Sequence, residues 1–281
     1  MKVIFFGSSI YVVPVLEALY KKHHDIVLAL TTELGQRQPV KFFCQTKNIK
    51  CQTVKTAHDL KTNYEIQAVG ADVGVVADFG IIIPKQVLDF FPKGVLNVHP
   101  SLLPKYRGAS PVQSAILNGE TTTGVSIIKL DNLMDHGPIL AQEEMAIEPA
   151  DTAKDLYNKL FDEGAKLLSQ VLSKLSTVSP VAQNHEQATF TRTLTREDGF
   201  FDHTQASDLI KFNNMVRAYY PWPGVWTKII LDTNNEHKIV KFLPNQLIQV
   251  EGKTPMNYKD FINGYPNAEP AFIEFIKKGL A

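Results

Sequence analysis

The chain has 281 residues, of which 44% are hydrophobic and 21% charged. This length suits one large domain with a smaller second one, and this composition excludes a wholly disordered protein. Basic and acidic residues are equally numerous, 29 of each, which excludes the strong positive charge of proteins that hold nucleic acid through many phosphate contacts. The basic excess lies within residues 1–60, where any local contact with nucleic acid is expected.

The sequence also indicates where the protein is located in the cell and whether it binds a metal. No apolar run approaches the roughly 20 residues that span a bilayer, and the opening segment has neither the length nor the cleavage site of a signal peptide. We therefore expect a cytoplasmic protein without membrane contact. Cys44 and Cys51 have neither metal-site spacing nor the pattern of a disulfide scaffold, so we expect two small buried side chains and no metal.

Short apolar segments alternate with amphipathic ones in the first half of the chain. Strands are predicted at residues 3–6, 26–30, 73–77 and 95–98, and helices at 14–22, before Lys47 and at 84–90. This alternation indicates an α/β fold with a Rossmann-like parallel sheet, whose ligand crevice opens at the carboxyl ends of the strands. Only one glycine, Gly7, follows the first strand, which disfavours a dinucleotide cofactor.

The second half contains further strands, one long helix and a polar stretch. Strands are predicted at 124–130, 139–147, 225–231 and 246–250, and helices at 152–175, with Asp151 as N-cap, and at 206–219. The polar stretch 176–190 is interrupted by Pro180, as is typical of a linker. We therefore expect a catalytic domain at 1–175, a linker at 176–190 and a small C-terminal domain at 191–281.

Two segments carry polar residues suited to acyl transfer. Asn97 and His99 lie two apart on a predicted strand and so share a face, and Pro100 ends that strand at the expected crevice. Asp135 lies in a later turn-rich segment. Transfer to an amine needs a proton shuttle, an oxyanion donor and a carboxylate that orients the shuttle, and these three residues supply them. The alternative is a structural histidine with Asn and Asp in turns.

The segment 96–140 resembles the active-site stretch of the folate-dependent formyltransferase family. The matching motifs, in chain order, are Asn97 and His99, the Ser-Leu-Leu-Pro segment at 101–104, Arg107 with Gly108, and Asp135 with Gly137. The resemblance implies that His99 acts as general base and acid, that Asp135 positions it and holds its proton, and that Asn97 binds the developing oxyanion.

The same resemblance implies 10-formyltetrahydrofolate as the co-substrate and formyl donor, with no metal. Two segments match those that bind the folate in the family. The residues expected to contact it are Phe79, Gly80, Ile81, Ser101, Leu102, Leu103 and Pro104.

Within the family the chain is most similar to the members that formylate initiator methionyl-tRNA, because segments 108–113, 123–128 and 216–226 match theirs. It departs from them in a shortened loop at 31–41 and in a C-terminal unit too small for a complete OB-type barrel, so it resembles an abbreviated member. We expect a monomer. An amino sugar nucleotide or another small amine is the alternative acceptor. A non-catalytic RNA-binding module is a third possibility, which the intact catalytic set disfavours.

Three basic residues are candidates for the substrate. Arg37 and Lys41 lie on the shortened loop, and we expect Arg37 to bind the acceptor end; an exposed surface arginine is the alternative. Arg107 is expected to meet a phosphate or the folate tail, or else to stabilise its own loop. His136 is interpreted as a solvated loop residue or as part of the acceptor pocket. Trp222 and Trp226 are interpreted as core residues of the second unit, with base stacking as the alternative.

Overall fold

The computed structural model describes residues 1–32, 38–205, 208–231 and 236–278. The strands in this part of the chain are β1 (Lys2–Gly7), β2 (Asp25–Thr31), β3 (Cys51–Thr53), β4 (Val73–Ala77), β5 (Val95–His99), β6 (Arg107–Gly108), β7 (Thr122–Lys129), β8 (Ile139–Ala146), β9 (Phe190–Thr191), β10 (Val225–Ile230), β11 (His237–Leu243), β12 (Leu247–Val250) and β13 (Met256–Asn257). The α-helices are α1 (Val13–Lys21), α2 (Pro39–Thr46), α3 (Ala57–Thr62), α4 (Tyr64–Ala68), α5 (Lys85–Leu88), α6 (Pro111–Leu117), α7 (Ala153–Ser173), α8 (Leu209–Ala218), α9 (Tyr258–Gly264) and α10 (Pro270–Lys278).

The predicted sheet is present, with the order β3-β2-β1-β4-β5-β7-β8. The first five strands are parallel, which confirms the α/β expectation for this part. β7 runs antiparallel to β5, and β8 antiparallel to β7, so the sheet is mixed. The antiparallel pairing of β8 with β7 follows from their short connection, because parallel neighbours need a crossover of a dozen or more residues.

The central strands β1, β2 and β4 are mostly buried and apolar, as is typical of a parallel sheet with both faces covered. Helices and loops pack against the sheet around buried side chains that include Ile4, Phe6, Leu28, Leu30, Phe79 and Phe91. In this sheet β4 and β5 are neighbours, with Val76 opposite Asn97. The carboxyl end of β5 therefore lies beside that of β4, at the edge of the sheet where the crevice was expected.

The chain divides into two compact units that do not follow the expected domains residue by residue. The first comprises 1–111, 122–146 and 157–192, and the second comprises 112–121, 147–156 and 193–281. The expected linker lies in the first unit and is more than a connection, because Val181 pairs with Ile139 and β9 pairs with β6. The assignment of 1–175 and 191–281 as catalytic and C-terminal domains stays a prediction.

The second unit contains an antiparallel sheet in the order β10-β11-β12-β13. Edge-to-face aromatic contacts join its core, with Phe242 packed on Phe212 and Phe275. Trp222 is 55% exposed, so its interpretation as a core residue is wrong. Trp226 is half-buried and donates its indole N–H to the Arg196 carbonyl at 3.0 Å.

Helix α7 begins one residue later than expected, and the capping residue is different. The side-chain hydroxyl of Thr152 accepts the Asp155 amide at 3.3 Å, and the Asp155 carboxylate accepts the Thr152 amide at 3.1 Å. This reciprocal pair is a capping box, so the N-cap is Thr152 and the assignment to Asp151 is wrong. The Asp151 carboxylate instead accepts the Glu148 amide at 3.0 Å. No helix in the described ranges is both long enough and apolar enough to cross a membrane.

Candidate active site

Strand β5 carries two of the three predicted catalytic residues to the crevice. It pairs in parallel with β4 and antiparallel with β7, which fixes its backbone from both sides. Asn97 and His99 point to the same face because side chains two apart on a strand do so. His99 is buried at 4% exposure, and Asn97 is half-buried.

The third residue, Asp135, joins them from the loop between β7 and β8. One carboxylate oxygen, Oδ1, accepts the Asn97 side-chain amide at 3.2 Å and lies 3.7 Å from His99 Nδ1. The other, Oδ2, accepts the Gly108 backbone amide at 2.8 Å. The structure thus brings the amide, the imidazole and the carboxylate into one cluster.

Asp131, the other carboxylate of this loop, has a different role. Its Oδ1 accepts the Leu133 backbone amide at 2.9 Å, as in an Asx turn, and its Oδ2 lies 2.6 Å from His136 Nδ1. Asp131 is therefore a turn residue of this loop. His136 is half-buried, with 31% of its side chain exposed, and pairs with Asp131; its role in the acceptor pocket stays a prediction.

A backbone carbonyl orients the His99 ring. His99 Nε2 lies 3.0 Å from the carbonyl oxygen of Tyr106, whose φ is +60°. A carbonyl can only accept, so Nε2 carries the hydrogen in the neutral ring and Nδ1 is its basic nitrogen. Nδ1 faces the carboxylate of Asp135, 3.7 Å from its Oδ1.

Side chains of the neighbouring strands β7 and β8 hold the segment 101–104 in place. The Ser126 hydroxyl donates to the Ser101 carbonyl at 2.6 Å and accepts the Leu103 amide at 3.1 Å. Gln142 donates to the Leu103 carbonyl at 2.9 Å. Ser101 is fully buried, and its own hydroxyl donates to the Lys105 carbonyl at 2.7 Å.

Because of these contacts, only some groups of the segment 101–104 can touch the formyl donor. The Ser101 and Leu103 side chains are buried, whereas Leu102 and Pro104 are half-buried. Any contact between the folate and this segment therefore falls on Leu102, on Pro104 or on backbone atoms. The role of the segment in binding the donor stays a prediction.

The second predicted donor segment follows β4. The Phe79 side chain is 3% exposed and packs edge-to-face on Phe6, so only its backbone can meet a ligand. Gly80 has a φ of +77°, which glycine adopts without strain, and Ile81 is half-buried. Ile82 is 72% exposed and is the large apolar side chain that this segment presents to solvent.

Arg107 lies in the interior, at 3% exposure. Its guanidinium donates to Gln183 Oε1 at 2.6 Å and to His185 Nδ1 at 2.8 Å. These are the contacts of the loop-stabilising alternative, and the role in substrate binding stays a prediction. The His185 ring stacks on His136 at 3.9 Å; desolvation, then the charges of His136 and Arg107, lower the pKa of His185.

The other two predicted substrate contacts were expected on the loop between β2 and α2, but Lys41 lies in α2 itself. Arg37 falls outside the described residues. Lys41 is half-buried in the first turns of α2, where its charge helps to lower the pKa of the Cys51 thiol after the larger effect of the Cys44 thiol. Within the described ranges, no group of three or more His, Cys, Asp or Glu side chains is placed to hold a metal ion.

Sequence reasoning missed several groups that shape the site. They are the Tyr106 carbonyl, the Gly108 amide, Ser126, Gln142 and Gln183. Two of these act through backbone atoms, which no residue type reveals. Gln183 was placed in a linker because its neighbours are polar. Its burial, at 6% exposure, follows from tertiary contacts alone.

The chain is similar to known formyltransferases. Residues 1–172 match the formyl transferase family. A methionyl-tRNA formyltransferase from Chloroflexus aurantiacus is 41% identical over 237 residues, which cover 81% of this chain and 76% of that protein. A methionyl-tRNA formyltransferase from Koribacter versatilis is 34% identical over 306 residues, covering 95% and 97%.

Among solved structures, a 4-N formyltransferase from Francisella tularensis superposes with a TM-score of 0.69 at 16% identity, covering 87% of this chain and 98% of that one. This likeness shows the shared fold. Together with the sequence relatives, it leads to one conclusion: this chain belongs to the formyltransferase family.

Proposed function

We propose that this chain transfers the formyl group of 10-formyltetrahydrofolate to the amino group of methionyl-initiator tRNA. The observation that carries the proposal is the cluster of Asn97, His99 and Asp135, in which Asp135 lies 3.2 Å from the Asn97 amide and 3.7 Å from the His99 ring. Support for the acceptor comes from the relatives, which are methionyl-tRNA formyltransferases up to 41% identical to this chain.

In the proposed reaction the amino group attacks the formyl carbon, and the bond from that carbon to the folate nitrogen then breaks. His99 takes the proton of the attacking amine at Nδ1, beside Asp135, and returns it to the leaving folate nitrogen. The 3.7 Å gap between Nδ1 and Asp135 Oδ1 is longer than a hydrogen bond, as is common for catalytic pairs without substrate.

Asn97 is suited to the oxyanion that forms in between. Its side-chain amide carries two hydrogens, and only one of them is directed to Asp135. The second is free to donate to the former formyl oxygen. Since the same nitrogen contacts both groups, Asn97 couples the oxyanion site to the carboxylate.

The donor is proposed to lie against the two segments that follow β4 and β5. Ile82 and Gly80 are exposed on the first, and Leu102 is partly exposed on the second. The Ile82 and Leu102 side chains supply an apolar surface of the kind that a flat heteroaromatic ring requires. We propose no metal, because the chemistry is assigned to proton transfer and hydrogen bonding. We also propose that the C-terminal antiparallel sheet belongs to an abbreviated OB-type unit and that the protein acts as a monomer.

A small amine, such as an amino sugar nucleotide, is the second candidate acceptor. The observation that favours it is the short connection from β2 to α2, since Thr31 ends the strand and Pro39 begins the helix. Such a loop has little length with which to reach into an acceptor stem.

A competition assay separates the two acceptors. The purified chain is given 10-formyltetrahydrofolate with either methionyl-initiator tRNA or a panel of amino sugar nucleotides, and the formylated product is measured. We expect formyl-methionyl-tRNA as the main product. Efficient turnover of a sugar nucleotide with no formyl-methionyl-tRNA at micromolar protein would overturn the proposed acceptor.

A further inference from the structure

Gln183 is a buried amide in a stretch that the sequence marks only as polar. It lies two residues after Val181, which pairs with Ile139, and seven before β9. Its neighbours Pro180, Ala182 and Asn184 are all exposed. Gln183 itself is 6% exposed, so its side chain turns inward from an otherwise exposed segment.

The polar atoms of the Gln183 side chain bind the catalytic loop on one side and Arg107 on the other. Its amide nitrogen donates to the Asp135 carbonyl at 2.8 Å and to the Gly137 carbonyl at 2.7 Å. Its Oε1 accepts Arg107 Nη2 at 2.6 Å and Nε at 3.2 Å. Both amide hydrogens are thus used on the backbone that flanks His136.

Arg107 dictates which way this amide faces. A guanidinium only donates, so the oxygen of Gln183 must point to Arg107 and the nitrogen must point to the two carbonyls. The opposite orientation would set donors against donors and acceptors against acceptors. Arg107 is itself held by His185, whose ring stacks on His136 at 3.9 Å, and His136 pairs with Asp131 at 2.6 Å.

The loop needs such support because its own backbone is not in a strand. Asp135 has a φ of +48°, in the left-handed region that few residues other than glycine adopt. The position of Gly137 is equally restricted, because a Cβ there would overlap the carbonyl oxygen of Lys129. Gln183 binds the carbonyls of both restricted residues.

We infer that Gln183 is a positioning residue for catalysis, which sets the placement of the Asp135 carboxylate relative to His99 and Asn97. This rests on the proposed roles of those three residues. Without the two bonds from Gln183, the loop can relax from the left-handed conformation, and Asp135 Oδ2 then leaves the Gly108 amide. Arg107 serves this arrangement by fixing the direction of the Gln183 amide.

Gln183→Glu tests the contact to the catalytic loop separately from the contact to Arg107. It removes both N–H groups that donate to the loop carbonyls and keeps an oxygen that accepts from Arg107. Asn184→Asp is the matched control. It is the same amide-to-acid change on the next residue, adds the same charge, and affects a side chain that accepts only the Glu186 amide in this structure.

Amide hydrogen exchange in the protein without substrate tests the inference independently of any acceptor. The Gly108 amide donates to Asp135, whereas the Arg107 amide donates to Thr189 at 2.9 Å. In Gln183→Glu we expect Gly108 to exchange about tenfold faster, the factor for losing roughly one hydrogen bond, and Arg107 to exchange as in the wild type. Equal acceleration at both amides would show general destabilisation and would overturn the inference, as would no change at Gly108.

Kinetics supply the second arm. We expect Gln183→Glu to lower kcat by about a hundredfold, the scale of a 1 Å misplacement, with little change in KM for the donor. In an Asp135→Asn background the same change should have almost no further effect, and Asn184→Asp should be silent in both. An undiminished effect in that background contradicts the inference. A wild type without turnover on methionyl-tRNA instead contradicts the proposed function and leaves the exchange result to decide this inference.

Discussion

Asn97 and His99 reach the active site on a strand, whereas Asp135 reaches it on a loop. The strand β5 has neighbours on both sides, so the backbone beneath Asn97 and His99 is held by sheet pairing. Asp135 has no such pairing, and its placement rests on the Gly108 amide, on Gln183 and on a left-handed backbone. Within one cluster, sheet pairing therefore holds Asn97 and His99, whereas hydrogen bonds to side chains hold the loop that carries Asp135.

Removing a catalytic side chain should have the largest effect on turnover, whether that side chain lies on the strand or on the loop. We expect His99→Ala and Asp135→Asn each to lower kcat by about a hundredfold or more, the usual contribution of general acid–base catalysis. Asn97→Ala should cost roughly 3–4 kcal/mol of transition-state stabilisation, as for one oxyanion donor. Steady-state kinetics with saturating donor measure both, and near-wild-type turnover in any of the three removes that residue from the mechanism.

Displacing the loop without touching a catalytic group should come next. Gly137→Ala forces the loop away from Lys129, and we expect kcat to fall by about a hundredfold while donor binding is retained. The control is Gly264→Ala, at a position where a Cβ meets no atom within 4 Å. If Gly137→Ala folds and turns over as fast as this control, the close approach of Gly137 to Lys129 is not needed to position Asp135.

Removing the Ser126 hydroxyl of β7 should have a smaller effect, and this effect should fall on binding of the formyl donor. Ser126→Ala leaves the Ser101 carbonyl and the Leu103 amide without their partner, which we expect to cost about 1–3 kcal/mol of unfolding free energy. KM for 10-formyltetrahydrofolate should rise, and kcat should change little. Urea unfolding and donor titration are compared with Ser169→Ala, whose hydroxyl donates to the Ala165 carbonyl within α7. An unchanged KM would separate Ser126 from the donor segment.

The smallest effect is expected at Arg37, which lies outside the described residues. Arg37→Ala should raise KM for tRNA, leave KM for the donor unchanged, and reduce the salt dependence by about one phosphate contact. Lys22→Ala removes an exposed charge of the same sign from the N-terminal sixty residues and serves as the control. Equal kinetics for wild type and Arg37→Ala across a salt series would identify Arg37 as an ordinary surface residue.

The strand-borne half of the site could be predicted from sequence, and the loop-borne half only in part. Alternation along β5 and the proline that follows place Asn97 and His99 together at a crevice, as the structure shows. The contacts of Asp135 join residues 27 and 48 positions apart through backbone atoms, which leave no pattern in residue types. The strands at 124–130 and 139–147 could be predicted, but their antiparallel pairing and the Thr152 cap could not, since several pairings and caps fit the same segment.

The same distinction explains why the sequence predicts a linker at 176–190. Its polar residues and Pro180 match that reading, and most of its side chains are exposed. Its structural importance rests on Gln183 and on the pairing of Val181 with Ile139, each a tertiary contact of a single residue.

The central claim is that the strand-borne His99 and the loop-borne Asp135 act as one catalytic unit, and a double-mutant cycle tests it most directly. Single-turnover formylation of methionyl-initiator tRNA is measured for wild type, His99→Ala, Asp135→Asn and the double variant. We expect the double variant to be hardly slower than the slower single one, because residues that act together are not additive. A double variant slowed by the product of the two single effects would show that the residues act independently and would contradict this account.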